Sequence, residues 1–271
     1  DMGWPIMGGI MGAVMMVSAF ITIFTVKERQ GQRIEGGPGI LKSYFQVLKQ
    51  KVFLQALFPW ALHITGVTVI QAAVVYYFRY IYHNESAFQI ALGILLVSAL
   101  VFIPVWVQIS KRIGKKLSYN IGMGIFAVVV IIFFAVGHRF GVGFAYIIMA
   151  IAGIGFATQY VMPYAIVPDV VENDYAENGT KREGIYYGLW TFTSKVGQAF
   201  AIALSGWVLS AFGYVPNVAQ SATSILGIRL LIGPVPALLF IGGIVILSFY
   251  PINRKYYEGI VAKVNERNAG R

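Results

Sequence analysis

The sequence predicts an all-α, polytopic membrane protein of seven helices, and three observations carry that prediction. Of the 271 residues 58% are apolar and only 12% are charged, against roughly a quarter charged in an average soluble domain. The apolar residues gather in stretches of about twenty, the length that crosses a hydrocarbon core. The basic residues gather in the gaps between those stretches, where they set orientation in a bilayer. A water-soluble enzyme is excluded by the first two observations. A nucleic-acid partner is excluded by the third, because the net charge of +10 is dispersed among short gaps. The chain contains no Cys, which removes disulfides, thiolate metal sites and thiol nucleophiles together.

The expected spans are 3–26, 52–82, 87–110, 117–136, 142–167, 185–212 and 230–249. All read as helices, since helices and closed barrels alone satisfy the backbone in lipid and alternating ten-residue strands are not seen. Span 3–26 lacks the short apolar core and small-residue cleavage site of a signal peptide, so it counts as a true helix. The gap 27–51, with GlyGlyProGly at 36–39, reads as a cytoplasmic central linker. Beyond it, 52–249 forms a six-helix domain divisible as three plus three, the count of a transporter half with nested inverted repeats. Residues 250–271 form a cytoplasmic tail. The odd helix total, and a first helix that starts almost at Asp1, predict a piece whose residues 1–26 are the last helix of an N-terminal half.

The gaps 27–51, 111–116, 168–184 and 250–271 hold 17 of the 21 Lys and Arg residues. By the positive-inside rule the N-terminus then lies outside and the C-terminus in the cytoplasm of a multi-pass cell-membrane protein. Arg79, Arg139 and Arg229 fall in opposite-side gaps. Gly122, Gly124, Gly153 and Gly155 place small residues where helices can approach closely, and Pro59, Pro104, Pro163, Pro234 and Pro236 mark kinks or hinges.

Lys195 is the polar residue that a membrane span should exclude. It sits too deep for its stem to reach the surface, so it faces the bundle interior or a water-filled cavity. Thr191 and Gln198 share its face at helical spacing. His63 and Gln71, eight residues apart in 52–82, and Gln159 with Tyr160 in 142–167 complete the candidate cavity lining. No Asp or Glu lies within a span, so a site for a coupling Na⁺ or H⁺ is expected in helices upstream of this chain. The sequence has no HExxH, no Cys/His cluster and no Gly-x-Ser-x-Gly, so no catalytic residue, metal site or bound organic cofactor is expected. Two segments at the basic side carry signal: SKRIGKK at 110–116, with Arg112, and the acidic run 168–184. In the latter, Asp169 and Glu172 stand one helical turn apart, Asp174 follows, and Asn178–Gly179 is a turn signal ahead of Arg182 and Glu183.

The run DVVENDYAENGTKREGIYYGLWTFTSKVGQAFAIALSGWVLSAFGY, Asp169 through Tyr214, resembles the glycoside–pentoside–hexuronide cation symporters, the melibiose-permease-like branch of the major facilitator superfamily. The matching features, in order, are the acidic triplet, Gly179, Arg182–Glu183–Gly184, Tyr187, Lys195 and Gly213–Tyr214. SKRIGKK looks like that family's basic loop between helices 8 and 9, and Tyr250-Pro251-Ile252 like its exit into the tail. The resemblance implies helices 6 to 12 of a twelve-helix, cation-coupled sugar or glycoside transporter, with an N-terminal half of the same protein as partner. It implies Lys195, Thr191 and Tyr160 at the substrate cavity. It also implies a cytoplasmic gate of Asp169, Glu172, Asp174, Arg182 and Glu183, with Arg112 from the basic loop. Animal lysophospholipid symporters share the fold and a similar Lys, so an amphiphile is the alternative substrate.

Overall fold

The computed structural model of the chain describes residues 3–25, 39–180 and 182–269, which are helical with no strand among them. They form two separate units, Asp1–Ile40 and Leu41–Arg271. In the first, α1 (Gly3–Thr25) is apolar and 23 residues long, and the hydroxyls of Ser18 and Thr22 each donate to carbonyls of their own helix at 2.9 Å. Residues 26–38, which include 27–38 of the expected linker 27–51, lie outside the described residues.

The second unit contains α2 (Ile40–Leu48), α3 (Lys51–Tyr80), α4 (Ser86–Ile113), α5 (Lys115–Val136), α6 (Val142–Asn178), α7 (Glu183–Ala211), α8 (Ala222–Ile232), α9 (Pro234–Ser248) and α10 (Arg254–Ala269). Its centre is α3, 61% buried across its most apolar window against 17% for α4, so α3 lies inside the bundle and α4 turns most of its surface to lipid. On α3 pack α7 and α9, while α6 packs against α4 and α5.

Small residues fix the crossings. A Cβ on Gly155 would stand 2.7 Å from the Gly122 carbonyl oxygen, and one on Gly153 would stand 2.6 Å from that of Leu95. Such approaches let helix backbones pack without a hydrophobic driving force between them. The Ser98 hydroxyl and the Trp106 indole then donate to the carbonyls of Ala150 and Ile154 at 2.6 and 2.7 Å, tying α4 to α6.

Among the described residues, six helices or helix pairs are long and apolar enough to cross a membrane: α1, α3, α4, α5, α6 and the α8–α9 pair. Helix α7 matches the expected span 185–212 in position and has the length, at 29 residues, but Lys195 and Gln198 lower its apolarity. The last span differs from expectation. It starts at Ala222, and Gly233 followed by Pro234 breaks it into α8 and α9. Arg229, expected in an outer gap, therefore lies within α8. It remains there because its guanidinium donates to the Phe134 carbonyl at 2.8 Å, an orphan acceptor in the last turn of α5.

The largest differences lie at the basic end. The expected loop 168–184 is helical to Asn178, and α6 runs 37 residues, about 55 Å at 1.5 Å per residue. Beyond it only a short turn remains, opened by Gly179 at φ +70°. The basic stretch 110–116 is a one-residue turn at Gly114, φ +88°, with its cations on the ends of α4 and α5. Part of the expected linker is helix α2, and the tail is helix α10. Tyr82 donates to the Gly137 carbonyl at 2.8 Å, and Tyr80 and Tyr214 share a hydrogen bond of 3.2 Å.

Gly155→Leu should drive α5 from α6 and cost about 1–3 kcal/mol by overpacking. A thermal-unfolding assay in detergent should show that loss, whereas Gly124→Ala, with its nearest neighbour atom at 4.0 Å, should unfold at the wild-type temperature.

Candidate functional site

Helices α3, α6 and α7 line an open cavity of about 480 Å³ whose walls include Lys195, Thr191, Gln198, Gln159, Tyr160 and Gln71. Six of the seven cavity residues expected from the sequence thus come together. The seventh, His63, does not. It is fully buried, its Nδ1 lies 2.7 Å from the Tyr119 hydroxyl, and its ring packs on Tyr119 and Phe240. Eight residues at about 100° each turn a helix by about 80° beyond two full turns, which sends Gln71 into the cavity and His63 into the core.

The cavity has layers along the bundle. Trp60 lies about 14 Å along α3 from Lys51, and Lys195 about 18 Å along α7 from Glu183. Trp60 and Trp190 stack with ring centroids 5.7 Å apart and planes 6° from parallel, and Tyr164 meets Trp60 edge-on at 5.9 Å. Beyond this aromatic layer stand Lys195, Gln159 and Gln198, and farther still Thr68 and Gln71. Sequence reasoning missed both tryptophans, because an aromatic in an apolar span reads as core or belt. Their proximity at matching depth on two helices could be found only from the fold.

The polar groups of this cavity are underused by the protein. Lys195 forms no ion pair among the described residues and has only a 3.4 Å hydrogen bond to Gln198. Gln159 is 5% exposed with its Oε1 unpartnered, and neither the Trp60 nor the Trp190 indole nitrogen donates to the chain. Thr68 and Ser194, by contrast, donate to their own helices at 2.7 Å. An unpaired ammonium, free amides and flat aromatic faces suit a polar ligand with both hydroxyls and an apolar face.

A charged cluster occupies the basic end. Asp174, 1% exposed, accepts from Arg182 Nε and Nη2 at 3.0 and 2.7 Å, a bidentate pair. Asn178 donates to it at 2.7 Å, and Gln50 also donates to it. Tyr186 donates to Gln50, and Arg182 reaches Gln46 of α2 at 2.8 Å. Asp169 pairs with Lys115 at 2.7 Å, so Lys115, not the expected Arg112, is the basic partner from 110–116. Arg112 is exposed in the last turn of α4 and forms no ion pair among the described residues. Glu172 accepts from Tyr257 of α10 at 2.6 Å, and that bond holds the phenol pKa up at about 12. Glu183 is exposed in the first turn of α7 without an ion pair among the described residues, where its charge complements the helix dipole. The described residues hold no group of His, Asp and Glu side chains arranged to bind a metal.

Residues 1–254 match the family described as MFS/sugar transport protein. A glucuronide carrier protein homolog of Escherichia coli is 30% identical over 97% of this chain and 57% of its own length. A putative sulfoquinovose importer of Salmonella typhimurium is 30% identical over 98% of the chain and 57% of its own length. The sodium-dependent lysophosphatidylcholine symporter 1-A of Danio rerio is 25% identical, covering 94% and 49%. The chain spans about half the length of these curated relatives. With the multi-pass helical bundle and its polar central cavity, these matches identify the chain as a member of the MFS/sugar transport protein family.

Proposed function

We propose that the chain is the carboxyl-terminal portion of a cation-coupled symporter that carries a sugar or glycoside by alternating access. The carrying observation is Lys195, an ammonium without an ion-pair partner among the described residues, in a cavity that also offers three Gln amides and the stacked pair of Trp60 and Trp190. An unpaired charge in a span costs several kcal/mol unless a ligand or water compensates it. Sugar hydroxyls use amides as donors and acceptors, and the apolar face of a pyranose lies flat on an indole. The relatives named for glucuronide and sulfoquinovose support this reading, and both substrates carry an anionic group that an ammonium would bind.

In this reading Na⁺ or H⁺ binds in the N-terminal half, the partner against which the six-helix bundle rocks. The basic end faces the cytoplasm, and the Asp174–Arg182 and Asp169–Lys115 pairs hold it closed in one state and part in another. The protein carries its substrate unchanged and catalyses no reaction.

One observation favours an amphiphile as a second reading. An apolar recess of about 90 Å³ between α3, α4 and α6, lined by Val74, Phe88, Leu95 and Phe156, shares Val67, Gln71 and Tyr160 with the polar cavity. It would accept an alkyl group attached to a polar head.

Lys195→Ala in the full-length transporter should reduce sodium-driven sugar uptake into proteoliposomes about tenfold or more, the loss of roughly one charged hydrogen bond. Uptake at the wild-type rate would remove Lys195 from the mechanism. Leu95→Trp, which fills the recess, should leave transport of a free sugar within about twofold while abolishing that of an alkyl glycoside or lysolipid; equal loss of both would deny the recess any part in selection. Arg182→Gln and Asp174→Asn should each be strongly destabilising to the closed state, by about 3–5 kcal/mol. Labelling of a cysteine introduced beside the cavity, read from the cytoplasmic side, should rise in both single variants and in the double variant no further than in either one.

A further inference from the structure

The basic end contains a second cavity, of about 530 Å³, which the transport reading uses only through the Asp169–Lys115 pair on its wall. It lies where the Gly114 turn meets the start of α10, and its lining holds six cations and one carboxylate, Asp169. Lys115 neutralises Asp169 at 2.7 Å. Arg254 faces Glu258 at 3.3 Å, but both side chains are exposed and the pair is weak. Lys111, Arg112, Lys116 and Lys255 have no carboxylate partner among the described residues. Lys116 is fixed in place by the carbonyl of Tyr250 at 2.9 Å.

A second, independent observation points to a ligand. Tyr250 lines the same cavity, is 2% exposed, and its hydroxyl has no hydrogen-bond partner. Burial pushes that hydroxyl's pKa upward, and the nearby Asp169 adds to the shift, so the group stays protonated and can only gain by donating to, or accepting from, something that enters. Several converging cations with a buried O–H donor select a compact anion with multiple acceptor oxygens. A carboxylate would use two such donors; a phosphate can use three or four.

We propose that this cavity binds a phosphate group, of the kind carried by an anionic phospholipid headgroup or by a free phosphate ester. The apolar side chains of Ile113 and Leu117 are exposed at its margin, which fits a headgroup whose acyl chains continue along α4 and α5.

Native mass spectrometry of the purified full chain, titrated with phosphatidylglycerol, phosphatidylcholine or glycerol 3-phosphate, tests the assignment. Phosphatidylglycerol should be retained about tenfold more than phosphatidylcholine, and Arg112→Gln with Lys255→Gln should remove that preference. Arg112→Lys with Lys255→Arg should keep it, and Tyr250→Phe, which removes only the orphan hydroxyl, should weaken it without changing the folded mass profile. Displacement of the lipid by glycerol 3-phosphate would make the free ester the occupant; failure to displace would make it the lipid. Equal retention of the two lipids together with no binding of glycerol 3-phosphate would overturn the proposal, as would unchanged preference in the doubly neutralised protein.

Discussion

The carboxylate of Asp174 sets the terms for one end of the molecule. At 1% exposure it needs hydrogen-bond donors, and three residues from separate parts of the chain supply them. Gln50 stands before α3, Asn178 ends α6, and Arg182 precedes α7. Each donor thereby inherits a fixed place, and Tyr186 follows because it donates to Gln50. Tyr186 in turn packs edge-on against Phe53 at 4.9 Å, the next layer inward. A single buried charge thus orders a column of polar and aromatic groups that reaches Phe53 of α3. Buried pairs of this kind contribute little net stability and instead fix one arrangement over its alternatives.

Lysines at the start of a helix oppose its dipole, yet α5 begins with Lys115 and Lys116. The conflict resolves through neighbours. Lys115 bonds Asp169 and the Ala165 carbonyl at 2.9 Å, and Lys116 bonds the carbonyls of Ser248, the last residue of α9, and of Tyr250 just beyond it. The Ala165 carbonyl lies one turn before Asp169 on α6, so the lysine bridges two neighbouring turns of that helix through its backbone and a side chain. Arg267 of α10 adds a second donor at the far end of α6, where the Tyr175 carbonyl accepts from it at 2.8 Å and from the Gly179 N–H at 2.9 Å.

How much of this could be read in the sequence depends on whether the signal was chemical or geometric. Lys195, Gln159, Gln198, Gln71 and Thr191 stood out because polar groups in apolar spans are costly, and all of them line the cavity. Trp60 and Trp190 gave no such signal, since nothing in either helix alone says that the two will stack. The acidic run after Pro168 looked like a loop because proline and five acidic residues suit one. It stayed helical because Lys115, Tyr257 and Arg267 arrived from distant parts of the chain to satisfy it. His63 was misplaced by a small angular error compounded over eight residues. The spans themselves were legible except where Ser, Thr and Arg229 disguised the start of α8.

Helix α6 carries Gln159 and Tyr160 into the cavity and Asp169 and Asp174 into the charged end, with Pro163 and Pro168 between them. It can therefore behave as a lever with its fulcrum at the prolines. Asp174 lies about 16 Å beyond Pro163, so a bend of only 10° there would carry its carboxylate nearly 3 Å, about the length of the hydrogen bonds it makes. A motion too small to disturb the packing around the cavity would then be large enough to part Asp174 from Arg182.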